Sequence, residues 1–132
     1  MSQLDGENKD EVCILVVGAK QETLIAFDEL VSHKKDSIAV DYARTGIEGV
    51  TKSKFLNPDI VFVASSTPDM GHTELVAALK KSVPDTRIVL MSGSNDPSWI
   101  RRGLLAGGDN YLSEPPNLDG LLHTINVTLT KR

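Results

Sequence analysis

Few side chains in this sequence have the types and spacing that metal binding, nucleotide binding or covalent catalysis would require. His33, His72 and His123 are far apart and Cys13 is the only cysteine, so no ligand set has the spacing of a zinc site. Residues 18–21 (GAKQ), which follow an apolar run, lack the repeated glycines that hold a nucleotide phosphate. We interpret the histidines as solvated side chains and Cys13 as a small buried hydrophobe, and we expect no cofactor and no bound metal.

Short apolar runs alternate with amphipathic segments of helical length after residue 12. The runs that we predict as strands are residues 13–17, 37–42, 59–64, 87–91 and 111–113. The first, third and fourth are nearly all apolar, which is typical of a parallel sheet covered on both faces, whereas the second alternates like an edge strand. Strict alternation of five strands with five helices predicts a doubly wound α/β sandwich.

Caps and apolar spacing predict the helices between these runs. Thr45 and Glu48 form a capping box for the second helix, whose Ile47 and Val50 we expect to face the core. The signals for the other helices are Leu24, Phe27 and Val31 in the first; Leu75 and Leu79 in the third, around residues 74–81; Asp96 with Pro97 and Gly107 at the ends of the fourth; and Asn117 as cap of the fifth, followed by Leu118, Leu121, Leu122, Ile125 and Leu129.

Length and charge limit the class of protein. The 132 residues suit one globular domain, which we place at residues 12–132 after a polar, flexible tail at residues 1–11. Fourteen Lys and Arg against eighteen Asp and Glu give a net charge of -4, so no overall positive field attracts a nucleic acid. No apolar run approaches the ~20 residues that cross a bilayer, and the N-terminus is polar and acidic. We therefore expect a cytoplasmic protein without direct membrane or nucleic-acid contact.

The loops at one edge of this sheet should decide the function, because ligands of doubly wound sheets bind outside the carboxyl ends of the strands. These loops contain residues 18–20 after the first strand, 64–67 after the third, 92–94 after the fourth and 114–116 after the fifth. The side chains at those positions are the ones from which a function can be inferred.

The order and spacing of several segments resemble the receiver domain of bacterial two-component response regulators, over nearly all of residues 12–130. The best-matched stretches are residues 13–17, 57–63 (NPDIVFV), 68–70, 88–92 (IVLMS) and 106–112 (AGGDNYL), with Pro115. The resemblance implies a flavodoxin-like (βα)5 fold with sheet order 2-1-3-4-5. It also implies a phosphorylation site, in which an acid pair after the first strand and an Asp ending the third bind Mg²⁺ and that Asp accepts the phosphoryl group. A Ser or Thr after the fourth strand and a Lys after the fifth would bind the phosphoryl oxygens.

At these site positions the chain departs from the pattern of the family. Gly18 and Ala19 stand in place of the acid pair, Ala64 in place of the phosphoacceptor and Glu114 in place of the Lys. Only Ser92 keeps the expected hydroxyl. Glycine and alanine offer Mg²⁺ no side-chain oxygen and supply no nucleophile, and Glu114 would repel a phosphate. We therefore predict a degenerate phosphorylation pocket and no enzymatic activity.

The resemblance also implies a contact surface on the fourth helix, the fifth strand and the fifth helix, which the family uses for dimerisation and output. Tyr111 keeps the aromatic position that reports the switch in the family, and Trp99, Arg101, Arg102 and His123 are further candidates for this surface. Trp, Tyr and Arg are enriched among the residues that dominate binding energy, although ordinary packing explains Trp99 and Tyr111 equally well. We predict a receiver domain that signals by binding a protein partner or a second copy, independently of phosphorylation.

Two other functions remain open at this point. A phospho-switch could use Asp69 or Ser65 as an unusual acceptor, although the hydroxyls of residues 65–67 have no adjacent base and suit caps of the following helix. Asp69, directly after Pro68, also suits a tight turn. Alternatively, a flavodoxin-like module could hold a small ligand in the hydroxyl-lined pocket.

Two details of the edge loops can be predicted as well. The resemblance implies a cis peptide bond between Glu114 and Pro115. Lys20 and Glu114 should point towards the same cavity from the loops after the first and fifth strands, so we expect them to form an ion pair. In the alternative, Lys20 points to solvent while Glu114 accepts hydrogen bonds from hydroxyls such as that of Ser92.

Overall fold

Strands and helices alternate along the part of the chain that the computed structural model describes, residues 11–65, 67–93 and 96–130. The strands are β1 (Val12–Val17), β2 (Ile38–Ala43), β3 (Ile60–Val63), β4 (Arg87–Ser92) and β5 (Asn110–Ser113). The helices are α1 (Gln21–His33), α2 (Gly46–Leu56), α3 (His72–Ser82), α4 (Pro97–Leu105) and α5 (Leu118–Thr130). Each strand begins and ends within one residue of its predicted bounds. Of the predicted tail, residues 1–10 lie outside the described residues.

All five strands pair in parallel in the order β2-β1-β3-β4-β5. This order confirms the doubly wound, flavodoxin-like (βα)5 sandwich. Strand β1 lies between β2 and β3, with Val17 opposite Ala43 on one side and Val63 on the other. The direction of winding reverses there, so the crevice for a ligand opens at the carboxyl end of β1.

Two apolar layers fill the space between the sheet and its helices. On one side, Phe27 of α1 and Leu121 of α5 join Phe62 of β3 in a buried cluster, and the two phenyl rings meet edge to face with centroids 5.0 Å apart. On the other side, Leu75 of α3 and Leu90 of β4 belong to a second cluster, on which α2 and α4 also pack. Strands that contribute to both layers need apolar side chains at nearly every position. None of the helices within the described ranges combines the length and apolar character needed to cross a membrane.

The helix ends follow the predicted signals. Thr45 caps α2, Asp96 caps α4 and Asn117 caps α5, each through a side-chain oxygen that accepts a backbone N–H of the first turn. Beyond the end of α4, Gly107 has a φ of 132°, a conformation that favours glycine.

The orientation of α2 differs from the prediction. Ile47 was expected to face the core but is 64% exposed, and Val50 is only partly buried. The residues that α2 buries include Gly46 and Gly49. A Cβ atom on Gly49 would lie 2.8 Å from a side-chain atom of β1. The helix therefore packs on the sheet through small residues, which its apolar spacing does not reveal.

Candidate functional site

Backbone hydrogen bonds bring the residues of the predicted pocket to the carboxyl edge of the sheet. The N–H of Gly18 donates to the end of β2 at 2.9 Å, that of Ala64 to the end of β1 at 3.0 Å, and that of Glu114 to Ser92 at 2.9 Å. Ala64 and Ser92 are buried, whereas Ala19 and Glu114 are partly exposed. The five residues thus share one edge, at the ends of neighbouring strands.

The side chains at this edge do not fit the Mg²⁺ ion that the resemblance implies. Mg²⁺ takes oxygen ligands in near-octahedral geometry, usually with at least one carboxylate. Gly18, Ala19 and Ala64 bring only a hydrogen atom or a methyl group to their positions. Within the described ranges, no three or more His, Cys, Asp or Glu side chains are grouped so that they could hold a metal ion.

Glu114 is bound by a hydroxyl group of α1. Thr23 is fully buried, and its Oγ1 donates to Glu114 Oε2 at 2.7 Å. The Glu114–Pro115 peptide bond is cis, as predicted. The predicted ion pair with Lys20 is wrong: both residues line a cavity of about 170 Å³, but the ion pairs among the described residues join other side chains. A hydroxyl does bind Glu114, but it comes from α1 and not from Ser92.

A larger cavity, of about 470 Å³, opens where β1 and β2 end. It is lined by Gly18, Ala19, Leu24, Tyr42, Ala43, Arg44, Thr45, Glu48 and Pro68. Gly18 has a φ of 73°, a left-handed conformation that favours glycine. The hydroxyl of Tyr42 donates to Asp28 Oδ1 at 3.0 Å. Burial, together with this hydrogen bond, raises the pKa of Tyr42 well above its ordinary value, so the phenol stays neutral around physiological pH.

Asp69 makes a contact that the sequence does not reveal. Its Oδ1 accepts from the N–H of Gly46 at 2.8 Å and its Oδ2 accepts from the N–H of Ile47 at 3.0 Å. These backbone hydrogen bonds lower the pKa of Asp69 below its ordinary value. Asp69 therefore ties the loop after β3 to the first turn of α2. No local signal connects Asp69 with a helix that begins 23 residues earlier.

Ser65 and Thr67, the described hydroxyl residues after β3, do not cap the following helix. Gly71 occupies the N-cap position of α3, without a side-chain hydrogen bond. Thr67 donates instead to the carbonyl oxygen of Met70 at 2.7 Å, and Ser65 is exposed. Ser66, and Ser94 in the loop after β4, lie outside the described residues.

A groove between α4 and β5 contains two of the predicted contact residues. Arg101 and Tyr111 line this groove of about 560 Å³ together with Pro97, Ile100, Leu104 and Leu105. Tyr111 is 53% exposed and Leu105 is 76% exposed. Leu105 is not among the residues predicted from the sequence, although an apolar residue in the last turn of a helix, close to Arg101 and Arg102, could have indicated it.

The other three predicted contact residues lie outside the groove lining. Arg102 is exposed, and its Nη1 donates to Ser98 Oγ at 2.8 Å within α4. His123 is exposed on α5. Trp99 is partly buried, because its ring stacks on His72 with centroids 4.0 Å apart. The interpretation of His72 as solvated is wrong: only 9% of the residue is exposed, and its Nε2 lies 2.8 Å from the carbonyl oxygen of Trp99.

Comparison with known proteins gives one family. The family model described as response regulator receiver domain matches residues 14–126. Among curated proteins, the nitrate/nitrite response regulator protein NarL of Escherichia coli (strain K12) is 28% identical over 119 residues, which are 88% of this chain and 55% of NarL. The chain spans about half the length of the curated relatives it matches.

Solved structures with the same architecture have similar length. A CheY-like response regulator receiver domain protein from Methanospirillum hungatei JF-1 has a TM-score of 0.76 and 25% identity, over 91% of this chain and 94% of that chain. A response regulator from Thermotoga maritima has a TM-score of 0.80 and 24% identity, over 92% of this chain and 99% of that chain. At that identity the second likeness concerns the fold alone.

Proposed function

The chain belongs to the response regulator receiver domain family of two-component signalling, and from this premise we propose that it signals without phosphorylation, by binding another protein. The observation that carries the proposal is the absence of a carboxylate at Gly18, Ala19 and Ala64. Phosphoryl transfer to a carboxylate needs the nucleophile and a cation over the developing charge, and these side chains supply neither. We therefore propose a binding module and not an enzyme; its cytoplasmic location stays a prediction.

The charge of the neighbouring cavity supports the same conclusion. Glu114 and Glu22 line the cavity of about 170 Å³ together with one cation, Lys20. A phosphate held there would meet two carboxylates against a single ammonium group, and like charges at close range disfavour binding. This charge balance disfavours a phosphoryl group even if a nearby side chain accepted one.

Intact-protein mass spectrometry after incubation with acetyl phosphate and Mg²⁺ tests this part of the proposal. We expect no stoichiometric phosphoryl group on the chain. A phosphoryl group that disappears in Asp69→Asn or Ser65→Ala would overturn the proposal in favour of a phospho-switch with an unusual acceptor. We expect Asp69 to be a poor nucleophile because both of its oxygens accept backbone hydrogen bonds.

A reconstruction experiment separates the missing acids from the changed charge. Restoring Asp at positions 18, 19 and 64 should still give poor phosphorylation, because Glu114 keeps a negative charge where the family has a cation. Adding Glu114→Lys to the same variant should increase the phosphorylated fraction. An Asp at position 18 would be strained, because Gly18 has a φ of 73°. The double variant Ala19→Asp with Ala64→Asp avoids this strain and is compared with the triple variant.

We propose that the protein partner, or a second copy of the chain, binds the surface formed by α4, β5 and α5. The exposed apolar groove with Leu105 and Tyr111 supports this choice, since such patches on small domains often mark contact sites. Binding should weaken in Leu105→Ser and in Tyr111→Ala. The matched control is Phe55→Ser on α2, where the side chain is 86% exposed on another surface. Equal loss of binding in the control would refute the assignment of this surface.

A second candidate function rests on the cavity of about 470 Å³ at the carboxyl end of β1. Its size is within the range of small-molecule sites, and the reversal of strand order is where doubly wound folds bind ligands. A ligand would bring its own absorption spectrum or raise the melting temperature. An unchanged melting temperature across a panel that includes flavin mononucleotide, with no visible absorption of the purified protein, would exclude flavin-type ligands.

A further inference from the structure

His72 and Trp99 form a direct contact between α3 and α4. His72 is the first residue of α3, and Trp99 lies in the first turn of α4. Their rings are stacked, with an angle of 16° between the planes and 4.0 Å between the centroids. The His72 Nε2 atom lies 2.8 Å from the Trp99 carbonyl oxygen. A carbonyl oxygen only accepts, so Nε2 carries the hydrogen of the neutral ring and Nδ1 is left to take up a proton.

Helix α4 rests on the core at several places, since Trp99 and Leu104 also pack on the second apolar cluster. It is nine residues long, and Gly103 is its only buried residue. A Cβ atom on Gly103 would lie 3.1 Å from His72 Cδ2 and would also meet Leu90, so His72 and β4 together form the surface on which α4 rests. The His72 ring is therefore one of the groups that hold α4 in position.

The surroundings of His72 disfavour a charged ring. Burial lowers the pKa of His72 below its ordinary value of 6.5, and the guanidinium of Arg102 on α4 lowers it further, while the hydrogen bond to Trp99 opposes both. The partial positive charge at the start of α3 acts against a cation in the same way. Strand β4 contributes the apolar Leu90 at this contact. Glu74, the acidic residue in the first turn of α3, is exposed.

We propose that protonation of His72 at Nδ1 releases α4 from α3, so that the proposed partner surface on α4 responds to acid in place of phosphorylation. The proton comes from solvent, and the released imidazolium ring becomes hydrated. Only the consequence for binding rests on the proposed function; the contact and its titration are properties of the chain alone.

The size of the effect follows from linkage. Because the pKa of His72 is lower in the closed position than in the released position, full protonation raises the released fraction relative to the closed one by the ratio of the two acid dissociation constants. The closed position is favoured above pH 6.5, and its advantage falls as the pH decreases through the lowered pKa of His72.

The test follows the isolated chain through a pH titration without any partner. Trp99 is the only tryptophan, so its fluorescence reports on this contact. We expect the His72 ring resonance, the Trp99 emission and the backbone amides of residues 97–105 to change with one common midpoint below pH 6.5. Hydrogen exchange of those amides should become faster across the same range.

Variants distinguish the protonation of His72 from a general effect of acid on the protein. His72→Gln keeps an N–H donor but does not titrate, so the fluorescence transition should disappear, and His72→Phe provides a second non-titrating ring if the first variant folds poorly. The matched control is His123→Gln, an exposed histidine on α5, which should leave the transition unchanged. Arg102→Gln should move the midpoint to higher pH.

Three results would overturn the proposal: a His72 midpoint at or above 6.5, a fluorescence transition that persists in His72→Gln, or amides of α4 that do not follow the titration. Because no partner is present, these results are independent of whether the proposed partner surface is correct. Conversely, if the partner binds to another surface, the His72 titration stays the same.

Discussion

Replacing Gly103 with alanine adds one methyl group, which has two opposite effects on stability: it overpacks the contact of α4 with the core, and it favours the helical backbone. The methyl would meet Leu90 Cδ1 and would lie 3.0 Å from Leu90 Cδ2 and 3.1 Å from His72 Cδ2. Leu90 is fully buried, so it has little room to move away. Overpacking of this kind costs about 1–3 kcal/mol, whereas alanine in place of glycine within a helix contributes about 1 kcal/mol. We expect Gly103→Ala to be net destabilising, by about 1 kcal/mol.

Urea denaturation and thermal unfolding measure this difference. For a domain of this size, 1 kcal/mol corresponds to a decrease in the melting temperature of about 3–5 °C. The Trp99 emission should also change, because α4 has to shift away from His72. Thr51→Ala, at an exposed position of α2, is the control in which only helix propensity acts, and it should be neutral or slightly stabilising. A Gly103→Ala protein more stable than the wild type by about 1 kcal/mol would refute the close packing of α4.

Further predictions concern the edge of the sheet. Asp69→Asn should destabilise the protein at neutral pH. The difference in stability between variant and wild type should shrink as the pH falls below 3.8, because a carboxylate with a lowered pKa stabilises only while it is ionised. A difference in melting temperature that does not depend on pH would contradict this. Thr23→Val should lower the free energy of unfolding by about 1–3 kcal/mol, since Glu114 loses its buried hydroxyl donor, and Thr23→Ser should lower it less. Equal melting temperatures of the two variants would show that the hydrogen bond contributes nothing. An excess of Mg²⁺ should leave the melting temperature unchanged, because only a ligand that binds the native state raises it.

The fold could be predicted because its signal is local and repeated. Apolar runs of strand length reflect burial on both faces, and alternation with amphipathic segments restricts the topology to a doubly wound sheet. Caps such as Thr45 and Asn117 depend on residues within one helical turn, so they too can be recognised in the sequence. The orientation of α2 could not be predicted, because glycines and not apolar side chains form its contact with β1.

The sequence by itself determined which chemistry is missing, because the type of a residue fixes the chemical groups that its side chain contains. Gly18, Ala19 and Ala64 cannot supply a carboxylate in any fold, and only the resemblance indicated that these positions matter.

Contacts between distant residues were decided by the tertiary structure alone. The bond from Thr23 to Glu114 spans 91 positions, and the contact of His72 with Trp99 spans 27. Spacing along a helix shows which side chains share a face, but it does not show which group of another element that face meets. For this reason Glu114 was assigned the wrong partner, and His72 was taken for a solvated side chain although it supports α4.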